Sequence, residues 1–245
     1  LFTQGLAQAG DFSELESAVK AGRYAQVAEL LGPIGQSQSA LPPQFSEALA
    51  AARAVPEGME DIIDAFEALT AEAEASFESG NPQQGLVDQE GVVMFASDVI
   101  GPAHLLTADA QFRLFQKLLD AGIQPYAEAM IDAAYGSYAE QLGPEHPSAV
   151  QMLAQSHWVY LMKGDIETAL DILDIAQSQM QAVLPAAHAF NQLIAEDQIK
   201  ILNQTGRGER AAAAQQALCT TLADAISPWH QRHLACLDYL AIIEI

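Results

Sequence analysis

The sequence predicts an all-α solenoid of stacked antiparallel helix hairpins, and three coincident periodicities carry that prediction. His104, His146, His188 and His230 stand 42 residues apart. Gly80, Gly122, Gly164 and Gly206 keep the same step. So do four small residues, Gly85, Ala127, Ala169 and Ala211. A fixed period of this length marks repeated supersecondary units, each burying one face on its neighbours.

One period shows how the unit is built. It opens at the loop Gly143-Pro144-Glu145-His146-Pro147. Val150, Leu153, Ala154, Trp158 and Leu161 then recur at a spacing near 3.6, which is a helix. Gly164-Asp165 ends that helix, because glycine accepts the left-handed conformation just past a helix C-terminus. A second helix carries Ile166, Ala169, Leu170, Leu173, Ala176, Met180 and Val183. The loop Leu184-Pro185-Ala186-Ala187-His188 restarts the cycle. The same grammar predicts four hairpins over 61–229 and a capping helix over 230–245. The small residue five places after each turn glycine falls where the two helices of a hairpin approach, and overpacking there costs about 1–3 kcal/mol.

Residues 1–60 are less regular and are expected to be a diverged repeat region, not a separate domain. Short helical stretches flank Gly22, the Gly/Pro/Ser-rich segment 32–43 is a loop, and an alanine-rich helix follows at about 44–55. The only β-like run, Gly91-Val92-Val93-Met94-Phe95, lies inside a predicted second helix.

Composition bounds the function. Ten basic residues stand against 32 acidic ones, for a net charge of −22. Repulsion from phosphate argues against nucleic acid, and an anionic membrane surface is disfavoured for the same reason. A basic peptide or protein is the class such a field would steer in, although a solvated acidic surface is the plainer account of the charge. There is no apolar run long enough to insert in a membrane. The chain opens at Leu1, within helical text, and so reads as a processed chain or an excised piece. A cytoplasmic location is the expectation, with periplasm or export left open, and nothing in the sequence sets an oligomeric state.

No catalytic motif stands out, and no cofactor is expected. Gly206-Arg207-Gly208-Glu209-Arg210 lacks the Lys-Ser/Thr ending of a phosphate-binding loop. The periodic histidines do not make a metal site: equivalent positions in stacked hairpins lie about 10 Å apart, whereas zinc needs ligands near 2 Å from one ion. They are expected to cap or brace the loops between units. His230 and His233 share a face but lack further ligands. Cys219 and Cys236 lie about equally far from the Ser227-Pro228 turn, so a disulfide is geometrically allowed. Two buried free thiols are the expectation for a chain in a reducing compartment.

"LGPEHP" at 142–147, "YLMKGDIETALDIL" at 160–173 and the 42-residue step resemble tetratricopeptide repeats of the kinesin-light-chain type. "GRYAQVAELL" at 22–31 resembles the turn and second helix of a more degenerate repeat. His157 departs from the pattern, which has a small residue there, and suggests a more open helix pair. The resemblance implies a right-handed superhelix whose first helices line a concave binding face; HEAT or armadillo repeats are the alternative fold.

Transferring the pattern unit by unit places candidate peptide-binding residues on that face. The second unit offers Phe112, Arg113 and Gln116, the third Gln151, Gln155 and Trp158, and the fourth Glu196, Asp197, Lys200 and Asn203. Amides suit a peptide backbone, since each carries donors and an acceptor, and an aromatic can anchor a partner. Trp158 packed between hairpins is the competing reading. The groove has too few lysines and asparagines to match repeats that clamp a C-terminal carboxylate. The function expected is a non-catalytic protein- or peptide-binding scaffold. The alternatives are the sensing portion of a larger enzyme, such as a caspase-like protease, and a helical enzyme without a recognisable motif.

Overall fold

The computed structural model describes residues 40–225 and 231–243. The expectations for residues 1–39, most of loop 32–43, the Ser227-Pro228 turn and His230 lie outside these described residues. The compact unit Leu41–Ile245 carries the repeats and the candidate site.

Among the described residues all regular structure is helical. In chain order the helices are α1 (Pro43–Arg53), α2 (Glu60–Glu78), α3 (Pro82–Phe95), α4 (Leu105–Asp120), α5 (Gln124–Leu142), α6 (Pro147–Gln155), α7 (His157–Lys163), α8 (Ile166–Val183), α9 (Ala189–Gln204), α10 (Gly208–Ala225) and α11 (Gln231–Ile243). The β-like run 91–95 is helical and continues into a π turn, Ala96–Ile100. Hairpins form between α2 and α3, α4 and α5, α6–α7 and α8, and α9 and α10, and each hairpin packs on the next.

Each hairpin turn is built the same way. Gly164 has φ +76°, its N–H donates to the Leu161 carbonyl, and the Asp165 N–H donates to Tyr160. Gly80, Gly122 and Gly206 make the equivalent pair of bonds. These two bonds define the Schellman cap, which satisfies carbonyls that a helix end otherwise leaves open. The small residues follow their packing logic: Ala127, Ala169 and Ala211 are fully buried. At Gly85 even a methyl group would come within 2.8 Å of the Phe77 ring.

The three described periodic histidines, His104, His146 and His188, are helix N-caps. Nδ1 of His104, His146 and His188 accepts from the N–H of Leu106, Ser148 and Phe190, at 3.2, 3.1 and 3.2 Å. Nδ1 is therefore the acceptor, which leaves the ring proton on Nε2. In His104 that Nε2–H donates to the carbonyl of Ala54, the residue just past α1, and in His146 to the carbonyl of Phe45 within α1. Helix α1 is held further by Arg53, which pairs with Asp109 at 3.0 Å and donates to the Tyr138 hydroxyl at 2.9 Å.

His157 has a consequence for the third unit. The first helix of that unit breaks at Ser156 into α6 and α7. The buried imidazole bonds through Nδ1 to the Ala154 carbonyl at 2.7 Å, and the Ser156 hydroxyl donates to Leu153. The equivalent positions in this chain are Ala73, Phe115 and Ile199, all fully buried like His157. A polar ring in an apolar slot must find its bonds locally, and it finds one on the last turn of α6.

The expectation of two free thiols is overturned. Cys219 of α10 and Cys236 of α11 are joined by a disulfide, with Cα atoms 5.5 Å apart. The two helices bring both sulfurs to one height of a buried cluster that includes Ile199, Leu218 and Leu222.

Candidate functional site

The first helices of successive units place one residue per unit on a shared face. Glu74, Gln116, Trp158 and Lys200 occupy one 42-residue register. Three of them line an open groove of about 650 Å³ formed by α2, α4, α6 and α7, together with Arg113, Lys117, Leu119, Asp120, Gln155 and Met162. The sequence-derived candidates Arg113, Gln116, Gln155 and Trp158 are therefore brought together.

Trp158 and Met162 are each 38% exposed, and both line the groove. The indole leans on the buried His157 ring, with centroids 4.7 Å apart. Burial holds His157 below the usual histidine pKa, despite its bond to the Ala154 carbonyl, so a neutral ring backs the indole. Lys117 pairs with Glu74 at 3.3 Å and lies 4.3 Å over the Phe77 ring. Arg113 is exposed and has no acidic partner within ion-pair distance among the described residues.

The remaining candidates separate. Gln151 and Asp197 line a small cleft of about 20 Å³ between the third and fourth units, room for a single water. Glu196 and Lys200 line a second pocket of about 290 Å³, closed by Gln215, Leu218, Leu222, Ala235, Cys236 and Tyr239. Asp197 and Lys200 approach to 3.5 Å. Asn203 is exposed but lines no described pocket. Phe112 turns the other way: it is half-buried, stacked on Phe115 at 5.8 Å and packed on the core. An aromatic ring gains more by covering Phe115 than by standing in water.

Glu74, Lys117, Leu119, Asp120 and Met162 were not among the sequence-derived candidates. Glu74 lies one 42-residue step before Gln116, and Asp120 and Met162 are similarly related. Lys117 and Leu119 carry no such signal; the twist of α4 brings them to the groove edge.

No protein-family model matches the sequence, and no curated protein matches it. Solved structures do. A Podosopora anserina putative kinesin light chain with nearly identical TPR-like repeats superposes with a TM-score of 0.61 at 18% identity, over 72% of this chain and 84% of that one. A point variant of the same protein gives a TM-score of 0.62 at the same identity and coverage. At that identity the likeness concerns the fold. Capped hairpins, the 42-residue step and this superposition agree on a TPR-like helical-repeat fold.

Proposed function

We propose that this chain is a non-catalytic scaffold that binds a protein, through an extended peptide segment, on the face formed by the first helices of its units. The exposed Trp158 in a groove otherwise rich in hydrogen-bonding side chains is the observation that supports this reading. An exposed indole with an aliphatic neighbour, Met162, suits an apolar anchor, and buried aromatic anchors dominate many interfaces. Arg113, Gln116 and Gln155 supply donors and acceptors for a peptide backbone. With a net charge of −22, a basic partner is the one drawn in fastest, and its attraction is screened by salt.

The test is a pull-down with the purified chain at low and high salt, followed by affinity measurements on Trp158→Ala and Gln155→Ala. Trp158→Ala should weaken binding by about 2 kcal/mol or more while leaving the fold intact. A variant that unfolds, with affinity per folded molecule unchanged, would return Trp158 to a packing role. Binding indifferent to salt would mean the acidic field is only a solvated surface.

A further inference from the structure

Helix α11 is the last described helix of the stack. By the 42-residue step, α11 is the first helix of a fifth unit, with Ala235 and Tyr239 where Gln151 and Gln155 stand in the third. Leu234 occupies the position of Ala108, Val150 and Gln192. Those three are buried, whereas Leu234 is 43% exposed. Among the described residues the main partner of α11 is α10. A helix of 13 residues is marginal by itself in water.

The described contacts that fasten it include a small apolar cluster around Leu218, Leu222 and Tyr239, and the Cys219–Cys236 disulfide. The Gln215 amide adds to this, its Nε2 donating to the Cys236 carbonyl at 2.9 Å and standing 3.0 Å from Cys236 Sγ. The same helix lines the pocket of about 290 Å³, where Ala235, Cys236 and Tyr239 join Lys200 and Gln215. That pocket exists only while α11 is docked.

We propose that the Cys219–Cys236 disulfide is a redox-controlled clip that holds α11 in place and so completes the C-terminal part of the binding face. This rests on the reading of that face as the binding surface. Cys236 is the sulfur on the pocket wall, and the pocket is the approach route. A thiolate of a dithiol reductant attacks Sγ of Cys236, and the S–S bond breaks with Cys219 leaving as thiolate. The second thiol of the reductant then attacks its own sulfur in the mixed disulfide and releases Cys236. Two electrons and two protons end on the cysteines, and the reductant leaves as its disulfide. The bridge spans 17 residues. In the chain-entropy model a loop of that order favours the closed state by about a hundredfold, an advantage lost on reduction.

The experiment is hydrogen exchange on the whole chain, oxidised and after dithiothreitol, with the gain of two hydrogens in intact mass proving reduction. Exchange over 231–243 should accelerate by about a hundredfold, while α4 to α8 keep their rates. Unchanged exchange in α11 with both thiols free would overturn the clip. So would acceleration throughout the stack, which would make the bridge a global staple, and so would a chain whose cysteines stay free under oxidant. In a second arm, peptides selected from a random display library on the oxidised chain are re-measured after reduction, and on Cys219→Ser with Cys236→Ser. Affinity should fall for peptides that also need Tyr239. Equal affinity in both states for those peptides would overturn the gating. No selectable peptide at all would sink the binding-face reading, and the exchange result would still report on the clip.

Discussion

Replacing His146 by alanine removes three contacts at one point. Nδ1 accepts the Ser148 N–H at 3.1 Å, Nε2–H donates to the Phe45 carbonyl at 3.1 Å, and the ring meets the Phe45 ring edge-on at 5.2 Å. The residue is 4% exposed, so water does not replace what is lost. Losing an N-cap costs about 1 kcal/mol, losing the hydrogen bond costs about 1 kcal/mol, and the ring pair adds about 0.5–1.5 kcal/mol. His146→Ala should therefore destabilise by roughly 2–4 kcal/mol, with some non-additivity because the contacts share one ring. Asparagine is among the best N-caps, so His146→Asn keeps the cap and loses only the two contacts to α1, roughly 1–2.5 kcal/mol. Urea unfolding at neutral pH reads both. If alanine and asparagine cost the same within about 0.5 kcal/mol, the cap contributes nothing; if alanine lies that close to the native chain, the bracing role fails too. The pH dependence follows from the same geometry. Burial lowers the His146 pKa, partly offset by the bond to the Phe45 carbonyl. As pH falls through about 6.5 the unfolded chain takes up this proton first, so the stability this neutral ring contributes is present above that pH and declines below it, down to the folded pKa. His146→Asn should remove that share of the pH slope.

Other perturbations test the register. Gly164→Ala forces a methyl-bearing residue into φ +76° and should cost about 1–2 kcal/mol in a denaturation midpoint. Gly136→Ala lies within α5, where an added methyl meets nothing within 4 Å, and should stabilise by about 0.5–1 kcal/mol; an equal loss at both glycines would refute the distinction between cap and helix interior. Ala169→Trp fills a position with no exposure and should destabilise by about 1–3 kcal/mol, spreading to neighbouring hairpins by hydrogen exchange. An unchanged midpoint would put Ala169 on the surface.

Features that depend on a few neighbouring residues could be read from the chain alone. A glycine past a helix end, a histidine at an N-cap and a small residue at a hairpin's closest approach act through local backbone geometry. Each leaves a mark at a fixed offset, and repetition at 42 residues makes the marks add. The shared register of Gln116 and Trp158 followed directly. Tertiary structure decided what depends on partners distant in sequence. The Phe45 carbonyl that receives the His146 proton lies 101 residues away, and no spacing announces it. Phe112 and Arg113 are adjacent in sequence, yet one packs on Phe115 and the other faces solvent, because the twist of α4 puts core and groove a single residue apart. Whether two cysteines bridge depends on how close two helices bring their Cα atoms, here 5.5 Å. Local rules constrain backbone conformation residue by residue, whereas the groove and the disulfide are set by distances between elements, which only packing fixes.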